Sequence, residues 1–288
     1  MKSQTLLPGI FIAFCSLLSP YISVADSLYK EASVSLDTGI EGIICQPEAA
    51  SPIPAVLMLH GFASSKNEVG NLYQRLAKRL CEKGIASLRI DFLGNGNSTV
   101  LSMEQSSIET MLEDAETAYQ YLNTQQWIDS SRMGIVGFSL GGGITIVTAA
   151  QHPARYKSLV TWSSVGDFHQ DFLSLRGQDN FDHAAKHGRV DIDLGWRKVS
   201  LGHGFFTALD NYKLSDEIKK YSGSYLAIAG SEDFSSFYTN AYVASAAGKH
   251  KQGIIIEGAD HIFGVLEEDQ TTAEQVINTT LEWFLDSL

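Results

Sequence analysis

The chain has 288 residues, with 33 Asp and Glu against 21 Lys and Arg, a formal net charge of -12, and three cysteines. An acidic surface that no Lys/Arg run interrupts argues against nucleic acid and anionic membranes as partners. Beyond residue 25 no stretch is long and apolar enough to span a bilayer, and no CxxC or other metal-ligand spacing occurs.

Residues 1–25 read as an export signal. Lys2 precedes the apolar run LLPGIFIAFCSLLSP, and the small residues Ser23 and Ala25 suit cleavage before Asp26. An uncleaved anchor is the weaker reading, because Gly9 and Pro20 interrupt the run and no basic stop-transfer cluster follows. The expected location is therefore secreted or periplasmic, with residues 26–288 as one domain and no stable membrane insertion after processing. Cys15 leaves with the signal. Cys45 and Cys81 fall in a predicted strand and a predicted helix, and they are expected as two buried free thiols rather than a disulfide.

Residues 29–47 predict a hairpin around Asp37-Thr38-Gly39. The run AVLMLHG then reads as a strand buried on both faces, since it is continuously apolar rather than alternating. Leu72, Leu76 and Leu80 mark a helix over 71–83, ASLRIDF a strand, and residues 104–124 one long amphipathic helix. MGIVGFS, KSLVTWS, SYLAIAG and QGIIIEG are further strands, with helices over 140–152 and from about Asp269 onward. This order predicts an α/β fold with a mostly parallel central sheet and helices on both faces. Residues 166–215 break the rhythm and predict a short inserted cap without a clear buried strand.

Gly137-Phe138-Ser139-Leu140-Gly141 matches G-x-S-x-G between a predicted strand and a predicted helix, the setting that exposes a serine nucleophile on a tight turn. An ordinary glycine-rich turn is the bland alternative. A serine needs a base and an acid to orient that base, and both candidates follow at the ends of later strands: Asp233, then His261. Glu232 rivals Asp233. Asp260 is less suited, because its neighbour on the chain is the ring it would have to orient. His60 ends the first central strand ahead of Ser139 and fits an oxyanion loop better than a base. Backbone N–H groups of Leu140 and Phe62 are the expected oxyanion donors, with the Phe62 side chain as a wall of the acyl pocket. Residues 91–98 contain G-x-G, but no third glycine with an immediate helix and no Walker lysine, so they predict a structural loop.

These motifs together, with Asp91 to Ser98, Gly230-Ser231-Glu232-Asp233 and Gly258-Ala259-Asp260-His261-Ile262-Phe263, resemble the α/β-hydrolase superfamily, in particular the cinnamoyl or feruloyl esterase-like microbial esterases. The resemblance covers nearly all of residues 40–288. It implies the α/β-hydrolase fold, a triad of Ser139, Asp233 and His261, an oxyanion hole from Phe62 and Leu140, a cap over the acyl pocket, and no cofactor or metal. Two positions depart from the family pattern: Asn95 stands where a histidine is common, and so does Phe138.

The expected activity is hydrolysis of a small or aromatic carboxylic ester through an acyl-enzyme. Phe168, Phe172, Phe181, Trp196, Phe205 and Phe206 of the cap suggest an apolar pocket, although many of them are expected simply to pack the cap. His183 and His187 lie one helical turn apart near several aspartates and read as a solvated helix rather than a metal site. A peptidase or lipase-like hydrolase is the alternative, and a nonenzymatic binding protein on the same fold a weaker one. Oligomeric state is not legible.

Overall fold

The computed structural model describes residues 29–49 and 52–288, so the expected signal at 1–25 lies outside the described residues. Strands β1 (Tyr29–Ser35) and β2 (Glu41–Pro47) form the leading hairpin, turned at Gly39 with φ +83°. There follow β3 (Ile53–Leu59), α1 (Leu72–Glu82), β4 (Ala86–Ile90), α2 (Ile108–Asn123), β5 (Ile128–Phe138), α3 (Leu140–Gln151) and β6 (Ser158–Trp162). After an insert come β9 (Ser224–Gly230), α8 (Ser236–Ser245), β10 (Lys251–Ile256) and α9 (Thr271–Ser287). The sheet order is β1-β2-β4-β3-β5-β6-β9-β10, parallel from β4 to β10 and antiparallel at the β1–β2–β4 edge.

Continuous apolar runs occur because each central strand faces two cores. Along β3, Ala55, Leu57 and Leu59 join the core beneath α2 and α3, whereas Val56 and Met58 join the core beneath α1 and α9. This layering is the α/β-hydrolase fold. It collects the ends of β3, β5, β9 and β10 on one edge of the sheet, where ligands bind in such architectures.

Three expectations change. The helix expected over 104–124 is interrupted: a single 3-10 turn at Met103–Gln105 precedes α2, and Ser107 caps α2 by accepting from Thr110 N–H while Thr110 Oγ1 accepts from Ser107 N–H. The insert holds α4 (Phe168–Arg176), α5 (Gln178–His187), β7 (Arg189–Asp193), β8 (Lys198–Gly202), α6 (His203–Ala208) and α7 (Leu214–Glu217). Its β7–β8 hairpin was not expected. Val190, Ile192, Val199 and Leu201 are buried between exposed Asp191, Asp193 and Lys198, the period of a strand wet on one face.

The cysteines are also corrected. Cys45 of β2 and Cys81 of α1 form a disulfide with Cα atoms 6.3 Å apart, because α1 packs back across the sheet edge carrying β2. With its ends 36 positions apart, the bond stabilises the fold by about 3–4 kcal/mol in the loop-closure view.

Beneath the loop at 91–98, Asp114 of α2 accepts a 2.8 Å hydrogen bond from Leu93 N–H. Burial, helped by the charge of Glu113, pushes its pKa up to about 7 against the pull of that hydrogen bond. An acid with a raised folded-state pKa contributes stability fully below its unfolded value, about 4, and the contribution is lost as pH rises through the folded value. Asp114→Asn keeps an acceptor for Leu93 and has no proton to lose. Its stability relative to wild type is therefore expected to climb between pH 4 and pH 7 and then level off. Urea unfolding across that range is the check, and a flat difference would refute the assignment.

Candidate active site

Ser139 sits at the turn from β5 into α3 with φ 54° and ψ -117°, a conformation that costs a non-glycine residue about 1–3 kcal/mol. Glycine neighbours make the turn possible. A methyl on Gly137 would strike the Gly141 carbonyl, and one on Gly141 would strike the Leu59 and His60 carbonyls. The Ser139 N–H donates to Trp162 O at 2.9 Å, tying the turn to β6, and its carbonyl accepts from Gly142 and Val165.

His261 follows β10 and Asp233 follows β9, and the structure brings both to the serine. His261 Nε2 lies 3.0 Å from Ser139 Oγ, and Nδ1 lies 2.9 Å from Asp233 Oδ1. A carboxylate only accepts, so the ring proton belongs on Nδ1, leaving Nε2 to accept from the serine hydroxyl. Asp233 is buried, and Ser235 Oγ donates to its other oxygen. Burial alone would raise its pKa; the hydrogen bond and electrostatic pull of His261, with Ser235, hold it below the ordinary carboxylate value. The rival acids face elsewhere. Glu232 is exposed, and Asp260 accepts from Ile262 and Gly264 N–H in its own turn. The imidazole itself contacts two phenyl rings: Phe138, tilted at 5.2 Å, and Phe234, stacked at 5.3 Å.

The segment after β3 runs close to the nucleophile, since a methyl on Gly61 would meet Ser139 Cβ at 3.3 Å. Leu140 N–H opens α3 and has no intrahelical acceptor, and no acceptor among the described residues takes Phe62 N–H. Two donors are therefore free on the serine's side of the sheet edge. His60 braces this loop: Nδ1–H donates to Gly61 O at 2.7 Å, and Nε2 accepts from Phe92 N–H at 3.0 Å. Burial, with the positive charges nearby, outweighs the Gly61 hydrogen bond and Asp91 and drops its pKa to about 4, so it stays neutral.

Sequence reasoning missed Glu68. Its buried carboxylate accepts from Gly61 N–H, from Ser64 Oγ at 2.8 Å and from Val69 N–H at 3.1 Å, cross-bracing the turn that carries Phe62. Burial raises its pKa against these hydrogen bonds and the electrostatic pull of His261. The only signal was an acid seven residues beyond Gly61. The loop at 91–98 is structural: Asp91 accepts from Lys66 N–H at 2.7 Å and Asn97 N–H at 2.8 Å and pairs with the Lys66 ammonium.

The cap aromatics divide. Phe172 and Phe205 pack on the Phe62 ring at 5.0 and 5.8 Å, whereas Phe168 is buried against Gly143 of α3 and Trp196 is 67% exposed. His183 and His187 are close, at 4.5 Å between ring centroids, but exposed. Among the described residues no group of three or more His, Cys, Asp or Glu is placed to hold a metal, and no helix is long and apolar enough to cross a membrane.

A family model described as serine aminopeptidase, S33, matches residues 50–187. The 31.7 kDa protein of the traX-finO intergenic region of Escherichia coli is 30% identical over 65% of this chain and 62% of its own length. The esterase EstD of Thermotoga maritima is 30% identical over 41% of this chain and 28% of its own. The chain thus spans less than two thirds of the curated relatives it matches. Among solved structures, Est1E from Butyrivibrio proteoclasticus with bound ferulic acid superposes with a TM-score of 0.74 at 19% identity, covering 89% of this chain and 98% of that one. Dienelactone hydrolase from Anabaena variabilis superposes at 0.62, also 19% identical, covering 91% and 100%.

Proposed function

We propose that the chain is a serine carboxylic-ester hydrolase of the α/β-hydrolase class, acting through an acyl-enzyme on a small or aromatic ester. The observation that carries the reading is the unbroken hydrogen-bond line from Asp233 through His261 to Ser139 Oγ. His261 Nε2 takes the hydroxyl proton as Oγ attacks the ester carbonyl, and Phe62 and Leu140 N–H receive the charge that develops on its oxygen. His261 then protonates the departing alcohol. A water, deprotonated by the same nitrogen, releases the acid and restores the serine.

Phe62, Phe172 and Phe205 suit a flat or short apolar acyl group. An aminopeptidase reading, suggested by the family description, calls for a carboxylate to hold a free amino terminus. Two arginines reach this loop instead, Arg176 over the Phe62 ring and Arg197 on Ala63 O, while the nearby Glu68 carboxylate is taken up by Gly61 N–H, Ser64 Oγ and Val69 N–H. An ester series from p-nitrophenyl acetate to octanoate, with a feruloyl ester included, tests the reading. Turnover with a preference for short or aromatic acyl groups is expected, and its absence on every ester from folded protein would overturn the proposal.

Export belongs to the same reading. The pattern at residues 1–25 supports it, and so does the Cys45–Cys81 bond, which persists in oxidising compartments. A secreted or periplasmic protein whose N-terminal sequence begins at Asp26 is the expected outcome; full-length protein retained in the cytoplasm would contradict it.

A further inference from the structure

Arg176 is the last residue of α4, one turn after Phe172, so the helix lays a phenyl ring and then a guanidinium on the same neighbour. That neighbour is Phe62. The Phe172 ring meets it edge-on at 5.0 Å, and the Arg176 guanidinium lies over it at 5.7 Å. Arg176 Nε is sealed from solvent and has no hydrogen-bond partner among the described residues. Burial lowers its pKa, and no neighbouring carboxylate opposes that effect. Acids outnumber bases 33 to 21 in this chain, so leaving a half-buried arginine unpaired forgoes an easily available partner. A second cation reaches the same loop, with Arg197 Nη1 donating to Ala63 O at 2.8 Å.

We propose that Arg176 is a specificity residue that receives a carboxylate at the far end of the acyl group, so that the preferred substrates are esters whose acyl part carries a second, free carboxylate beyond a flat apolar spacer. The inference rests on the ester-hydrolase reading, in which the acyl carbonyl sits at Phe62 N–H. The Phe172, Phe205 and Arg176 side chains all meet the Phe62 ring, so an acyl group that extends past that ring would have the guanidinium at its far end. The planar fork of arginine suits a carboxylate, and a charge-assisted pair there replaces the partner that the fold withholds.

The test compares methyl 4-carboxycinnamate, esterified at the acrylate end, with methyl cinnamate, in wild type, Arg176→Met and Arg176→Lys. Wild type is expected to favour the charged ester in kcat/KM. In Arg176→Met the charged-to-neutral ratio is expected to fall by about 10- to 100-fold, with most of the loss in KM, while Arg176→Lys falls between. A ratio that moves less than twofold in Arg176→Met overturns the inference while turnover of methyl cinnamate leaves the esterase reading standing. Calorimetric binding of the 4-carboxycinnamate dianion to Ser139→Ala, with and without Arg176→Met, separates the two claims. Arg176-dependent binding without turnover of either ester by wild type would sustain the anion site and sink the esterase; equal binding to both variants would sink the anion site.

Discussion

Ser139→Ala is expected to lower kcat on p-nitrophenyl esters by about five orders of magnitude, with KM nearly unchanged and the protein still folded. The substitution removes the one atom 3.0 Å from His261 Nε2 and leaves the Phe62, Phe172 and Phe205 surfaces that would hold the acyl group. Any residual rate would come from Phe62 and Leu140 N–H acting on a directly attacking water, and no acyl-enzyme burst would precede it. Alanine at φ 54° keeps the strain of serine, so the melting temperature is expected to stay within a few degrees of wild type. Activity within tenfold of wild type would place the nucleophile elsewhere.

Asp233→Asn is expected to cost about 10⁴-fold in kcat with little change in fold. An amide can donate where the carboxylate could only accept, so the ring responds by moving its proton to Nε2, the position that must be bare to take the serine proton. Glu232→Gln and Asp260→Asn serve as comparisons. Glu232 is exposed and Asp260 serves its own turn, so each is expected to change kcat by less than about threefold. A larger loss in Glu232→Gln than in Asp233→Asn would reassign the acid.

The sheet was legible because burial on both faces writes itself as unbroken apolar runs: AVLML became β3 and MGIVGF the end of β5, each sandwiched between two cores. The G-x-S-x-G turn and the order Ser139, Asp233, His261 at strand ends pointed to the candidate triad, and the topology gathers those strand ends on one edge. What escaped was whatever depends on contacts between distant segments. Cys45 and Cys81 meet only because α1 returns over β2, a matter of packing angle that no spacing encodes. Glu68 matters through hydrogen bonds to backbone a turn away, and its sequence surroundings, SSKNEVG, look like any polar loop. α8, between β9 and β10, buries only Thr239 and Tyr242, so SFYTNAYVAS carries almost no helical periodicity. The β7–β8 hairpin hid because its alternation spans only five residues a side, next to Gly195 and Trp196.

In the proposed ester hydrolysis, the contacts of Phe138 and Phe234 with His261, at 5.2 and 5.3 Å between ring centroids, restrict how the imidazole can move. Phe138 is buried and tilted at 46° to the imidazole, whereas Phe234, stacked on it, is 37% exposed, so only the second contact can give way readily. On that reading the same imidazole edge would serve both halves of the reaction. The alcohol would then have to leave that edge before a water could reach it, and departure of the first product would gate the second half of each cycle.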